Sequence, residues 1–148
     1  MATQHSFHID IQKFADKVGG RLEHAFQKTC LELDKGVVLS TPVDTGQARG
    51  GWNAGVNSVN LSETELDKTG QSTIAKNEAA ISKATIGDVV YISNNVNHIE
   101  YLERGRHTDE SGVERGSLQA PHGMVAKTIR RFPQIIQEAV TESKREIP

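Results

Sequence analysis

The residues of this chain that most directly suggest chemistry are Asp44-Thr45-Gly46. In aspartic hydrolases such a triplet from each of two subunits brings a pair of carboxylates together, and the pair shares one proton. That chemistry needs an apolar strand before the triplet and many strands after it. Here Pro42 and a helical pattern come first, and helical patterns dominate the rest of the chain. The reading favoured is therefore a rigid turn: Pro42 fixes one torsion, Asp44 folds back to cap nearby amides, Thr45 adds a side-chain bond and Gly46 accepts positive φ. An Asp-Thr-Gly hydrolase is the alternative, and no catalytic residue is otherwise expected.

Other reactive side chains read as structural. His5, His8, His24, His98, His107 and His122 lack the short spacing of a zinc site, except for the pair His5 and His8, so neither metal nor other cofactor is expected. Cys30 is the only cysteine; it permits no internal disulfide and reads as a small core or boundary residue. Asn60-Leu61-Ser62 matches a glycosylation sequon by coincidence in a protein expected inside a cell. Arg104, Arg106, His107 and Arg115 gather around one polar segment, with Lys127, Arg130 and Arg131 further on. Glu100, Glu103, Asp109, Glu110 and Glu114 offset them, so a solvated face is the plainer reading. The sharper one has Arg104, Arg106, Arg115, Arg130 and Arg131 meeting phosphate or an acidic partner, and a DNA-binding protein using this loop is a second alternative.

Composition narrows the classes. Lys and Arg total 17 against 19 Asp and Glu, a formal charge of -2, which is not the footprint of a protein that wraps nucleic acid. Aromatic residues make up 5%, too few for base-stacking platforms. The 148 residues, 36% apolar, suit one domain over 1–148 with one ordinary core. No apolar run reaches the roughly 18 residues of a membrane span, and the first residues lack the order of a signal peptide, so assembly inside a cell without membrane insertion is expected.

Periodicity supplies the framework around these residues. Ile11, Phe14, Ala15, Val18, Leu22, Ala25, Phe26 and Leu33 recur at helical spacing, which predicts a helix over 10–39 that stops before Pro42. Gly19-Gly20 is its weak point, a place for a kink or a close backbone contact. Residues 51–59 alternate as a half-buried strand through Trp52, Ala54 and Val56, and 60–70 read as a loop. A short helix over 72–84, ended by Gly87, precedes the best strand, Val89 to Ile92. Ile99, Tyr101 and Leu102 suggest a turn or two of helix closed by Gly105, and 106–116 a polar hairpin tip or flexible loop. A last helix should begin at Pro121, run to about Lys144 and kink near Arg130, ahead of Pro133. The fold expected is α+β: a long N-terminal helix, a small, mainly antiparallel sheet and a C-terminal helix.

Three stretches, in this order, resemble the tail-completion and head-tail joining proteins of long-tailed bacteriophages. TPVDTGQARGGW looks like the family's Pro-Val-Asp-Thr-Gly turn entering a first strand; DVVYISNNVNHIEYLERG is similar to its strand followed by a Leu-Glu-x-Gly segment; SLQAPHGMVAKTIRRF is similar to its Gln-Ala-Pro-x-Gly-Met entry into the last helix. With the leading helix they span most of the chain. Residues 60–72 and 106–116 depart from the pattern as insertions. The resemblance implies a non-enzymatic virion subunit made in the host cytoplasm. Copies would form a ring, a hexamer, at the end of the tail tube or in the neck, against tail terminator or tube and head-tail connector proteins, with channel DNA nearby. Trp52, Tyr101, Glu103, Gln119 and Pro121 are then expected to hold the family-like segments in place, as core or as subunit contacts, with Trp52 in the core and Tyr101 and Glu103 the ones free to face a neighbour.

Overall fold

A computed structural model of the chain describes residues 4–62 and 65–148, the side chains of 4–12 and 14 excepted. His5, His8, Ile11 and Phe14 fall among those exceptions, and Glu63 and Thr64, within the expected insertion 60–72, lie outside the described residues. The architecture is α+β, as the periodicities predict.

The first element, α1 (Gln4–Ser40), is 37 residues long, about 55 Å at 1.5 Å per residue, and starts six residues before the expected Asp10. It runs unbroken through Gly19-Gly20, so the expected weak point is not an interruption. Two glycines cost a helix about 2 kcal/mol together, which the other 35 residues and the packing of the second half outweigh. A side chain at Gly20 would meet the Ile147 side chain, so this is a place where the far end of the chain packs.

The last helical stretch is split as Pro133 requires. It forms α5 (Val125–Ile129) and α6 (Phe132–Glu146), numbered after the intervening elements, with the break at Arg130-Arg131 and Pro133 in the first turn of α6. It begins at Val125 and not at Pro121, because 121–124 form a turn that presents the first helical N–H groups to Glu103. α6 lies antiparallel along α1: Ile135, Ala139 and Ser143 are buried, Lys28 pairs with Glu142 at 3.4 Å and Arg21 donates to the Ile147 carbonyl. Where α5 crosses α1, a Cβ at Gly36 would stand 2.6 Å from Thr128 Cγ2, so glycine sets how closely the helices approach.

Between them lie α2 (Gln47–Gly50), β1 (Trp52–Val56), α3 (Gln71–Ile81), β2 (Val90–Asn94), α4 (Ile99–Arg104) and the short β3 (His107–Thr108) and β4 (Glu114–Arg115). β1 and β2 pair antiparallel in the register Trp52 to Asn94 through Val56 to Val90, and β3 pairs antiparallel with β4. β1 stops short of the expected Val59 because Asn57 turns to φ 62 and binds back to Asp88 and Val89. Residues 106–116, expected as a hairpin tip or a flexible loop, form a hairpin. The Asp109 carboxylate accepts from Ser111 N and Oγ, Val113 N and Arg115 Nε, and those bonds hold it far below the ordinary carboxylate range.

Two apolar clusters share the inner side of the sheet. Val37, Val38, Trp52, Ala120 and Met124 form one, with Ile92, Ile99 and Leu102 against it; Cys30, Ala54 and Ile81 form the other, with Phe26 and Val90. Cys30 is thus a core residue, and burial pushes its thiol up to about 11.

Candidate functional site

The three family-like stretches, far apart in sequence, line one cleft of about 470 Å³. Its walls are the 42–48 turn, His98 and Leu102 of the α4 region, and Ser117 and Gln119 ahead of the last helix.

The first wall is built from the end of α1. Thr41 is fully buried; its hydroxyl donates to the Val37 carbonyl at 2.6 Å and accepts from Trp52 Nε1 at 2.8 Å, fixing Trp52 in the core as expected. Gly46 has φ 89, and its carbonyl accepts from Gly50 N and Asp67 N. Thr45 Oγ1 accepts from Gln47 N, the side-chain bond expected of it. Pro42 lines the cleft, half-buried. Asp44 departs from expectation: it is exposed and caps nothing among the described residues. The turn's own Thr45 Oγ1 takes Gln47 N instead. Asp67 sends its carboxylate to Gly70 N and to Thr73 N and Oγ1, opening α3; burial works against its charge, yet these bonds hold it below the ordinary range.

Arg49, not singled out from the sequence, organises the same wall. Its guanidinium donates to the carbonyls of Thr41 at 2.8 Å, Leu39 at 3.3 Å and Lys68 at 2.9 Å. These include the last carbonyls of α1, which have no helical partner, so one arginine both caps α1 and ties it to the 65–70 segment. The legible signal was its place three residues after Gly46 in a turn following a helix end.

On the second wall Glu103 points inward. Its carboxylate accepts from Met124 N at 2.9 Å, Val125 N at 2.9 Å and Ala126 N at 3.0 Å, capping α5 within its own chain. Tyr101, on the same short helix, is 53% exposed. Gln119 is exposed, with its N–H on Ser117 Oγ; Pro121 is exposed, and its carbonyl accepts Arg106 N at 2.8 Å. Of the arginines, Arg106 pairs with Glu114 at 3.0 Å and Arg115 with Asp109, whereas Arg104, Arg130 and Arg131 are exposed with no ion pair among the described residues.

Asp44, His98 and Ser117 all line the cleft and are the residue types of a hydrolytic triad, but no hydrogen bond joins any two of them. Ser117 Oγ instead accepts from Gln119 N and Ala120 N, an arrangement that shapes a turn. Among the described residues no three His, Cys, Asp or Glu side chains gather as metal ligands.

A second polar feature, also missed from the sequence, joins α1 and α3 to the sheet. Asp34 on α1 is fully buried, and its Oδ1 accepts from Asn77 Nδ2 at 2.8 Å while Oδ2 has no partner. Asn77 also bridges the outer edge of β1, accepting from Ala54 N at 3.1 Å and donating to Trp52 O. Lys76 Nζ donates to Asn53 Oδ1 at 2.7 Å beside it; burial lowers its pKa, partly offset by Asp34. Burial pushes Asp34 up to about 7 against the bond from Asn77. α1, α3 and β1 are thereby joined by one side-chain junction.

No family model, no curated protein and no solved structure matches this chain.

Proposed function

We propose that the chain is a structural subunit of a tailed-phage virion, completing the end of the tail tube and joining tail to head. In this reading copies close into a ring, a hexamer, whose two faces meet the tail tube or its terminator on one side and the head-tail connector on the other. The observation that carries it is the convergence of the three stretches that resemble the family's motifs: they meet around one cleft, and their polar groups hold the fold together. Beside it Arg49, Glu103 and Ser117 direct their polar groups at helix ends and turns of the chain itself. The exposed Arg104, Arg130 and Arg131 are among the cations that would meet an acidic neighbour or channel DNA.

Mass spectrometry and electron microscopy of purified virions test this. The polypeptide should be found in particles, as a ring at the neck, and its deletion should leave filled heads and free tails unjoined. Normal particles without it would sink the reading. So would hydrolysis of a peptide that is abolished by Asp44→Asn.

A further inference from the structure

The two outer edges of the β1-β2 sheet are finished differently. On the β1 side, Asn77 takes the place of a neighbouring strand by binding Ala54 N and Trp52 O. Those two groups therefore point away from β2, so Ala54 and Trp52 sit at non-hydrogen-bonded positions of the ladder. Their opposites, Ile92 and Asn94, and by the same parity Val90, must turn their own N–H and C=O groups away from β1. No described element supplies a backbone partner to Val90 or Ile92 on that side. Val90-Tyr91-Ile92-Ser93-Asn94 also has none of the devices that keep an edge single: no charge, no proline, and a register without a bulge.

We infer that this edge closes against β2 of a second copy of the chain, antiparallel about a two-fold axis at Ile92, making a four-stranded sheet in the order β1-β2-β2-β1. The choice of occupant comes from comparing the strands described. β1 is already bridged by Asn77, while β3 and β4 are two residues each and β4 is charged. Only β2 has the length and the free groups to match β2. Self-pairing sets Ile92 against the partner's Ile92 and Val90 against the partner's Asn94, so every outward N–H and C=O meets its complement. No like charges oppose one another, because the strand carries none. Tyr91, 40% exposed in the single chain, then lies opposite the partner's Ser93 and diagonal to the partner's Tyr91, within reach of an aromatic contact.

The dimer does not depend on the virion reading. A ring with two different faces is not built from two-fold pairs, so the dimer belongs to the unassembled protein and ring assembly must open it.

Sedimentation of the full chain over a range of concentrations, combined with amide exchange, tests it. A concentration-dependent dimer is expected in which the amides of Val90, Ile92 and Asn94 gain protection, while those of Tyr91 and Ser93, already bonded to β1, do not change. Tyr91→Lys, at an exposed position, should keep the circular dichroism of the parent and weaken the dimer about tenfold or more by opposing like charges. Ile92→Cys in a Cys30→Ala background should form a disulfide-linked dimer, since a hydrogen-bonded antiparallel pair holds its Cα atoms about 5.5 Å apart. A chain that stays monomeric, or a dimer indifferent to Tyr91→Lys and without the alternating protection, overturns it. A monomer that is nonetheless found in virions would overturn this inference alone, and a β2-paired dimer absent from virions would overturn the virion reading alone.

Discussion

Replacing Asp34 by Asn should make the protein more stable above neutral pH and leave it nearly unchanged in mild acid. Asp34 is fully buried, with one carboxylate oxygen bonded to Asn77 and the other without a partner. Burial lifts its pKa from the ordinary 3.8 to about 7, so between those values the folded chain binds a proton that the unfolded chain has released. Stability from this group is therefore fully present below about pH 3.8 and is lost as pH rises through about 7. At 1.36 kcal/mol per pH unit the interval corresponds to about 4 kcal/mol, a large part of the roughly 5–15 kcal/mol that holds a domain folded. Asparagine keeps the acceptor for Asn77 and cannot ionise. Urea unfolding of both proteins from pH 4 to 8.5 should give curves that coincide at the acid end and separate by several kcal/mol at the alkaline end. Asp67, Asp88 and Asp109, whose pKa values are lowered, lose their contributions as pH falls, but equally in both proteins, so the difference isolates Asp34. Parallel curves, or a carboxyl carbon of Asp34 that titrates near 4 by NMR, would show that burial does not hold this group protonated.

Arg49→Ala should cost about 2–3 kcal/mol in urea unfolding, because a charged donor to the last carbonyls of α1 is lost, and Arg49→Lys should recover little of it since an ammonium cannot fork between them. Glu103→Ala should cost about 1–3 kcal/mol and speed amide exchange at Met124, Val125 and Ala126 selectively; equal exchange in both proteins would remove Glu103 as the cap of α5. Reversing both Arg130 and Arg131 to Glu should leave the circular dichroism unchanged, as both side chains are exposed, yet reduce the yield of joined particles; unchanged infectious titres would count against their facing a partner.

The features legible in the sequence are those that depend on neighbours along it. Helical spacing marks α1 and the last helix, and Pro133 marks the break at Arg130-Arg131. The β-branched run at 89–92 marks β2, and Trp52 lies in the core where its strand pattern puts it. The departures arise where a polar group takes a partner other than the one local rules name. Local rules make Asp44 the cap of its turn, but it is exposed, and Thr45 Oγ1 accepts from Gln47 N there instead. Local rules also start the last helix at Pro121, but it begins where Glu103, over twenty residues earlier, reaches the N–H groups of 124–126. The Asp34-Asn77 junction spans 43 residues and leaves no periodic trace.

The allocation of polar groups bears on which kind of function this surface can support. Catalysis needs polar groups held in place yet free of partners, so that a reacting atom can take the last position. Around the cleft Arg49, Glu103 and Ser117 are bonded to backbone within the chain, whereas Asp44 and His98 line it with no hydrogen bond joining them to each other or to Ser117. Much of the remaining exposed surface is apolar. On α6, Phe132, Ile136 and Val140 recur every four residues along a stripe next to the buried Ile135, Ala139 and Ser143, and all three are exposed. Leu118, beside the cleft, is 79% exposed, and the outer edge of β2 is without a strand. Apolar side chains and backbone edges gain free energy by being covered, at about 25 cal/mol per Å² of apolar surface, and gain nothing from a small polar substrate. Exposed apolar side chains and the unpaired edge of β2 are what contact with another protein would cover, as the proposed function requires.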